Sequence, residues 1–278
     1  MESVIVFMAV RNEEQYLVKT LDSILEQDYP LKKIILVNDG SSDSTPEIIA
    51  EYQKNNLIIE TITRKDRGFS AMGTLFLVDP WNEGLKLLLK EDFDYLLLCD
   101  GDSFYPSDYL SSLISELNKN EKIGVASGYD DLEKGKTSDP RNTGCLIKGE
   151  IVREMEQYPR IYTPDTFILL VARFLGYQTQ TFTSIPIFLQ RPTGIGSKNY
   201  FIAIGKGMNN LGYHPLYALG RVLSNMINRK VQKGLYMLYG YLVAPEVIGI
   251  EKYRKFQRRS QKEKIVRIVR SIIRKFGI

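Results

Sequence analysis

The chain has 278 residues, 44% hydrophobic and 25% charged, the composition of a globular protein rather than a disordered or fibrous one. Its two cysteines, Cys99 and Cys145, are too few for a disulfide framework and lack metal-ligand spacing, so a reducing, cytoplasmic setting is the expectation. The net charge of +4 hides an asymmetry: residues 251–278 hold 11 Lys/Arg and 2 Glu, leaving −5 on the other 250 residues, which speaks against a nucleic-acid face on the main fold.

The amino terminus, Met1-Glu2-Ser3-Val4, enters a strand-like run at once and carries no basic leader, so no secretory signal is expected. Residues 3–10 are apolar and β-branched and give way to Arg11-Asn12-Glu13-Glu14. Leu17, Leu21, Ile24 and Leu25 then repeat at helical spacing until Asp28-Tyr29-Pro30. Residues 33–37 form a second strand, ending in Asn38-Asp39-Gly40-Ser41-Ser42-Asp43. Thr45 is placed to cap the next helix, with Pro46 in its first turn. Residues 57–63 form a third strand. This β-α-β-α-β rhythm predicts a parallel, right-handed, doubly wound sheet.

Residues 64–80 are punctuated by glycine and read as a long loop. A helix over 81–90 leads to a strand over 93–99, followed by a helix over 106–118 and a short strand over 123–127. Residues 130–141 read as a mobile charged loop. Helix returns over 166–175, and residues 179–190 alternate in the manner of a strand. From Gly194 the composition shifts to glycine, tyrosine and basic residues. Helices are expected over 216–227 and 235–243, joined by Asn228-Arg229-Lys230. A final amphipathic helix over 262–276 places Ile265, Ile268, Val269, Ile272, Ile273 and Phe276 on one face, with Lys264, Arg267, Arg270 and Arg274 off it. No apolar run reaches the ~18 residues that span a bilayer. The longest, residues 235–244, is broken by Gly240 and followed by Pro245.

Two loops carry the chemistry. The strand over 93–99 ends in Asp100-Gly101-Asp102, and the carboxyl edge of a strand is where ligands bind in an open α/β sheet. Two carboxylates flanking a glycine can direct oxygens at one hard cation, which in turn bridges nucleotide phosphates; the same residues also make an ordinary polar turn. Asp39 emerges at the same edge, where its carboxylate can accept from a base N–H or a ribose hydroxyl; Asp39-Gly40-Ser41-Ser42 equally makes a turn and helix start. Neither a P-loop nor a Gly-x-Gly-x-x-Gly follows the first strand, and Gly194-Ile195-Gly196-Ser197-Lys198 comes too late to serve, so P-loop and NAD-binding folds are disfavoured. Arg191 follows the last core strand, within reach of a phosphate.

Taken together, Arg11-Asn12-Glu13-Glu14, the run from Val37 to Thr45 and Asp100-Gly101-Asp102 resemble the family 2 glycosyltransferases of GT-A fold, and Asn82-Glu83-Gly84-Leu85 is similar to the helix that precedes their Asp-x-Asp strand. The resemblance covers about residues 3–190. It implies a GT-A domain over 1–192 with a helical, basic extension over 193–278, and an inverting transfer from a nucleotide-diphospho sugar to an acceptor hydroxyl or phosphate. By the same resemblance Val10, Glu13 and Asp39 line the base and ribose, and Arg67 and Gly68 approach the base or phosphates. Asp100 and Gly101 belong to the donor site. Asp100 and, chiefly, Asp102 hold a divalent cation, Mn²⁺ or Mg²⁺. The family's acceptor motif is Glu-Asp with Gly-Tyr eleven residues after its Asp. Here Pro164-Asp165 precedes Gly176-Tyr177 at that spacing, which makes Asp165 the catalytic base, with proline in place of the glutamate.

A carboxylate that removes the acceptor proton and a cation that offsets diphosphate charge are what such a transfer needs, and a helix start favours the ionised form of Asp165. An N-cap role is the structural alternative for that residue. His214 is expected to be structural, Arg173 to pack or pair, and Trp81 to pack in the core. The tail, 252–278, suits an anionic membrane surface, placing the protein on the inner face of the membrane with a glycan or lipid-linked acceptor. The same stripe could dock on its own domain or on a second subunit. Competing functions are a non-catalytic sugar-nucleotide or glycan-binding homologue, favoured by Pro164, and a sugar-phosphate nucleotidyltransferase, which Arg11-Asn12-Glu13-Glu14 does not fit because that class needs a glycine-rich basic loop there.

Overall fold

A computed structural model describes residues 2–130, 139–191, 197–227 and 231–276, with backbone alone at 226, 227, 272, 273, 275 and 276. Most of the charged loop over 130–141, Gly194-Ile195-Gly196, the 228–230 connection and the side chains of Ile272, Ile273 and Phe276 therefore lie outside the described residues. The chain forms two compact units. The first comprises residues 1–70, 79–158 and 171–193; the second comprises 71–78, 159–170 and 194–278.

In the first unit, β1 (Val4–Val10), β2 (Leu31–Asn38), β3 (Ile59–Thr63), β4 (Tyr95–Cys99), β6 (Ile123–Tyr129), β7 (Cys145–Lys148) and β8 (Gln178–Pro186) form one sheet in the order β3-β2-β1-β4-β7-β6-β8. Only β7 runs antiparallel to its neighbours. A two-stranded ribbon pairs β5 (Ser103–Phe104) with β9 (Phe188–Leu189). The apolar runs of β1, β2 and β4 are continuous because the sheet is covered on both faces. On one face Val4, Val6, Met8 and Val10 join Ile34, Leu36, Leu97 and Cys99 in a core closed by Leu17, Leu21 and Ile24 of α1 (Leu17–Leu25) and by Tyr109, Leu110 and Leu113 of α4 (Tyr109–Lys119). On the other face Phe7 meets Gly84 of α3 (Val78–Leu88), where an added Cβ would lie 2.1 Å from the ring. That approach gives the glycine of Asn82-Glu83-Gly84-Leu85 a packing reason, and Asn82 locks the helix by exchanging two hydrogen bonds with the Tyr158 backbone.

Several elements differ from expectation. Helix α2 (Thr45–Asn55) has Ser44 in the cap position with no side-chain bond; the Thr45 hydroxyl instead accepts the Glu13 N–H at 2.8 Å, tying two loops together. The loop expected over 64–80 holds a 3₁₀ turn at Leu75–Leu77 and the start of α3. Pro80 is tolerated there because the first turn has no N–H partner to lose. Strand β7 and α5 (Gly149–Met155) had no forecast, being short and interrupted by Gly149.

In the second unit lie α7 (Lys198–Asn210), α8 (Pro215–Ile227), α9 (Val231–Leu242) and α10 (Glu251–Phe276), together with the start of α6 (Pro164–Phe174). Helix α10 begins eleven residues earlier than the apolar stripe suggested. Its first turns bury Tyr253, edge-on to Phe167 at 5.3 Å, and Gln261, whose Oε1 accepts the His214 N–H at 2.7 Å. Among the described residues no helix is long and apolar enough to cross a membrane.

Candidate active site

The parallel register brings four strand ends level. Val10 pairs with Asn38, Asn38 with Thr63, and Met8 with Cys99. The loops beginning at Arg11, Asp39, Arg64 and Asp100 therefore leave the same edge of the sheet side by side, where α/β folds bind ligands.

Asp39 is buried, and its N–H donates to Val10 O at 2.8 Å. Its Oδ1 accepts from Arg64 Nη1 at 2.6 Å and from Arg67 Nη2. Arg11 reinforces the turn, donating to the carbonyls of Asp39 (2.6 Å) and Gly40 (2.7 Å) while pairing with Asp66. Gly40 has φ +69°, and a Cβ there would lie 2.5 Å from Asp66 Cα, so both the conformation and the closeness demand glycine. Gly68, also at positive φ, donates its N–H to Asp66 Oδ1 at 2.8 Å. The 64–68 loop is thus strapped to the ends of β1 and β2 by charge-assisted bonds.

At the end of β4, the Asp100 N–H donates to Thr143 Oγ1 and its Oδ1 accepts from Asn142 Nδ2, at 3.3 and 3.2 Å. The Gly101 carbonyl accepts from the buried Thr20 hydroxyl at 2.9 Å. A Cβ on Gly101 would meet Val10 Cγ1 at 2.9 Å and Glu13 Cγ at 3.0 Å, which is how close the first loop comes to the two aspartates. Arg191 joins them. Its Nε donates to Asp102 Oδ2 at 2.6 Å, its Nη2 to Glu13 Oε1 at 2.5 Å, and its guanidinium lies 4.9 Å from the Tyr16 ring centroid. Glu13 Oε2 is buried without a hydrogen-bond partner among the described residues. Burial lifts the Glu13 carboxyl above the ordinary glutamate range, against the pull of Arg191.

Val10, at the end of β1, and Glu13, Asp39, Arg67, Gly68, Asp100, Gly101, Asp102 and Arg191, on the loops, thus all stand at this edge. Arg11, in the motif of the first loop but given no role of its own, Arg64, Asn142 and Thr143 complete it, and the sequence marked none of the last three for a site. Asp165 belongs to the other unit, in the first turn of α6. The residue is exposed, yet its carboxyl sits in protein dense enough that desolvation raises its pKa, with the Thr166 N–H acting in the opposite sense. His214 Nδ1 accepts the Leu216 N–H at the start of α8. Trp81 packs edge-on against Tyr158, and Arg173 pairs with Asp139.

Among the described residues no group of three or more His, Cys, Asp or Glu side chains is arranged to hold a metal ion. Two carboxylates are what a magnesium-like ion takes from a protein when substrate phosphates and water supply the rest. Asp100 and Asp102 are carboxylates of that kind at the end of β4, with Asp102 paired to Arg191, and Glu13 Oε2 on the neighbouring loop has no hydrogen-bond partner among the described residues.

A family model described as glycosyl transferase family 2 matches residues 5–176. The poly-beta-1,6-N-acetyl-D-glucosamine synthase of Staphylococcus epidermidis is 33% identical over 127 residues, 46% of this chain and 28% of that protein. Its Staphylococcus aureus (strain COL) counterpart is 29% identical over 128 residues. The matches to these synthases thus take in under a third of their length. Among solved structures, the mannosyltransferase PcManGT from Pyrobaculum calidifontis in complex with GDP-Man and Mn²⁺ superposes with a TM-score of 0.59 at 16% identity, over 85% of this chain and 70% of that one. S. aureus TarS 1–349 in complex with UDP-GlcNAc gives 0.56 at 14%, over 88% and 74%. At those identities the likeness is one of fold, which is GT-A.

Proposed function

The chain belongs to glycosyl transferase family 2, and on that premise we propose that it transfers a sugar from a nucleotide-diphospho donor to an acceptor hydroxyl or phosphate, with inversion at the anomeric carbon. The observation that carries this reading is the level alignment of the strand ends, which gathers Glu13, Asp39, Asp100 and Asp102 with Arg67 and Arg191 at one edge. The base and ribose lie against Val10, Glu13 and Asp39, within the strapped 64–68 loop. Asp100 and Asp102 would hold a divalent cation, Mn²⁺ or Mg²⁺, which would offset the charge of the departing diphosphate. Asp165 accepts the proton of the acceptor as its oxygen attacks the anomeric carbon, and the bond to the diphosphate breaks on the opposite side. Arg191 moves from the carboxylates to the diphosphate as the donor binds, a guanidinium being matched to both in geometry.

UDP-GlcNAc and GDP-mannose are the donors to try first, since structural neighbours hold them. The 252–278 tail, with its cationic face, docks on an anionic leaflet and brings the catalytic unit to a glycan or lipid-linked acceptor at the inner membrane face; a homodimer through the same helix is the competing arrangement. A non-catalytic donor-binding role is the second reading, favoured by Pro164 in the acceptor motif and by the Arg191 clamp on Asp102.

A thermal-shift screen of UDP, GDP, dTDP and CDP sugars with and without Mn²⁺ tests the donor site. Stabilisation that needs the cation and disappears in Asp102→Ala supports the assignment, and equal stabilisation in that variant contradicts it. Donor binding without turnover, for every sugar and acceptor tried, supports the second reading.

A further inference from the structure

The basic character is wider than the tail. Residues 194–278 carry 17 Lys/Arg against 3 Glu and no Asp, and from 194 to 245 there is no acidic residue at all. Within this cationic region α8 and α9 carry apolar residues on exposed as well as buried flanks. Their inner sides are committed. Ala218 and Val222 of α8 are buried, as are Gly234, Met237 and Gly240 of α9. Helices α9 and α7 meet backbone to backbone: a Cβ on Gly240 would lie 2.1 Å from Ile202 O, and one on Gly205 2.0 Å from Met237 O. Glycine-mediated approach of this kind is common where helices pack in lipid.

Their outer sides carry Leu216, Leu219 and Leu223 on α8 and Leu235, Tyr239 and Leu242 on α9, between 43% and 72% exposed. The spacings within each set, i, i+3, i+7 and i, i+4, i+7, make each a single stripe. A helix that faces only water carries polar residues there, and contiguous exposed apolar surface of this kind marks an interaction site. On α10, Ile268 and Val269 are exposed, while Arg267, Arg270, Ser271 and Arg274 line a groove of about 290 Å³ around the opposite side.

We propose that the α8–α9 hairpin is a lipid-inserting element, its outer leucines entering the boundary between headgroups and acyl chains of an anionic membrane. Cations beside aliphatic side chains, with no carboxylate among them, match a surface of lipid phosphates over hydrocarbon, and Tyr239 is of the type that favours that boundary. A second copy would bring cation against cation, since residues 215–242 hold Arg221, Arg229, Lys230 and Lys233 and no carboxylate to pair with them, and like-charge repulsion opposes that. The inference rests on the reading of the tail as a membrane-docking helix and extends it: α10 supplies attraction, and the hairpin supplies insertion.

The test is flotation of the full chain with phosphatidylcholine vesicles, with and without phosphatidylglycerol, at low and high salt. Two variants separate the parts: Leu219→Glu with Leu223→Glu in the hairpin, and Arg267→Gln, Arg270→Gln and Arg274→Gln in the tail. The hairpin variant should lose about tenfold or more in vesicle affinity even at low salt, with melting temperature and donor thermal shift unchanged. A Leu219→Trp reporter should be quenched by brominated lipid beyond the Trp81 baseline, and it decides the matter if the charged variant fails to fold. Vesicle binding by the hairpin variant equal to wild type, with no quenching of the reporter, overturns the proposal. So does a dimer that the leucine substitutions dissolve in a protein that never binds vesicles. Loss of binding in the arginine variant alone sinks the hairpin and leaves the tail standing, and loss in the leucine variant alone does the reverse.

Discussion

Arg191 donates through Nε to Asp102 Oδ2 at 2.6 Å, so the carboxylate assigned to the cation is held by a guanidinium. The same arginine holds Glu13 at 2.5 Å. A cation at Asp102, as proposed, would compete with Arg191 for the carboxylate. Arg191→Ala should bind Mn²⁺ about tenfold more tightly in the absence of donor, because no charge-assisted bond must be broken first. Sugar transfer should fall, because the diphosphate loses its guanidinium. Titration of Mn²⁺ by electron paramagnetic resonance checks the first effect, and unchanged affinity would show that Arg191 does not guard the site.

Glu13 links pH to stability. Its folded-state pKa is raised, chiefly by burial. Above the ordinary glutamate value the unfolded chain releases a proton that the folded chain retains, so this residue's contribution falls as pH rises through the window between the ordinary and the raised values. Thermal melts across that window should show wild type losing stability relative to Glu13→Gln as pH rises. Parallel curves for the two proteins would mean that Glu13 carries no such cost.

Asp39 anchors Arg64 and Arg67 from a side chain only 7% exposed. Asp39→Ala removes the buried carboxylate that both guanidiniums share, leaving Arg64 its longer 3.9 Å contact with Asp79, and should cost about 2–4 kcal/mol. Denaturant unfolding gives the stability, and donor titration should show binding lost along with the 64–68 strap. A loss below about 1 kcal/mol, the range of a surface pair, would contradict the anchoring role.

The sheet was legible because β1, β2 and β4 are buried on both faces and so read as uninterrupted apolar runs. Strand β7 was not, because Cys145–Lys148 is too short to show a period before Gly149 turns it into α5. The early start of α10 was hidden by charge: residues 251–261 show no stripe, and Tyr253 and Gln261 are buried by tertiary contacts. At the site, carboxylates placed just after apolar strands announce themselves, which is why Glu13, Asp39 and Asp102 stood out. Their partners did not. Asn142 reaches Asp100 across 42 positions, and Arg64 reaches Asp39 across 25, with no local pattern to mark either. Thr45, read as a cap, turned out to bond the neighbouring loop.

Asp165, as the proposed base, must be ionised to accept a proton, and desolvation raises its pKa above the ordinary aspartate value. Transfer should therefore fall on the acid side at a pH above that of an unperturbed aspartate. Asp165→Asn should abolish transfer while retaining donor binding. A pH–rate profile of kcat checks the limb, and an unaltered profile in the variant would assign the base elsewhere.

The most direct measurement is calorimetric titration of UDP-GlcNAc and GDP-mannose into wild type and Asp102→Ala, each with and without Mn²⁺. The account predicts binding of one donor by wild type that strengthens markedly with the cation, and no cation effect in the variant. Binding of equal strength in both proteins, indifferent to Mn²⁺, would contradict the claim that these carboxylates hold a cation for the donor.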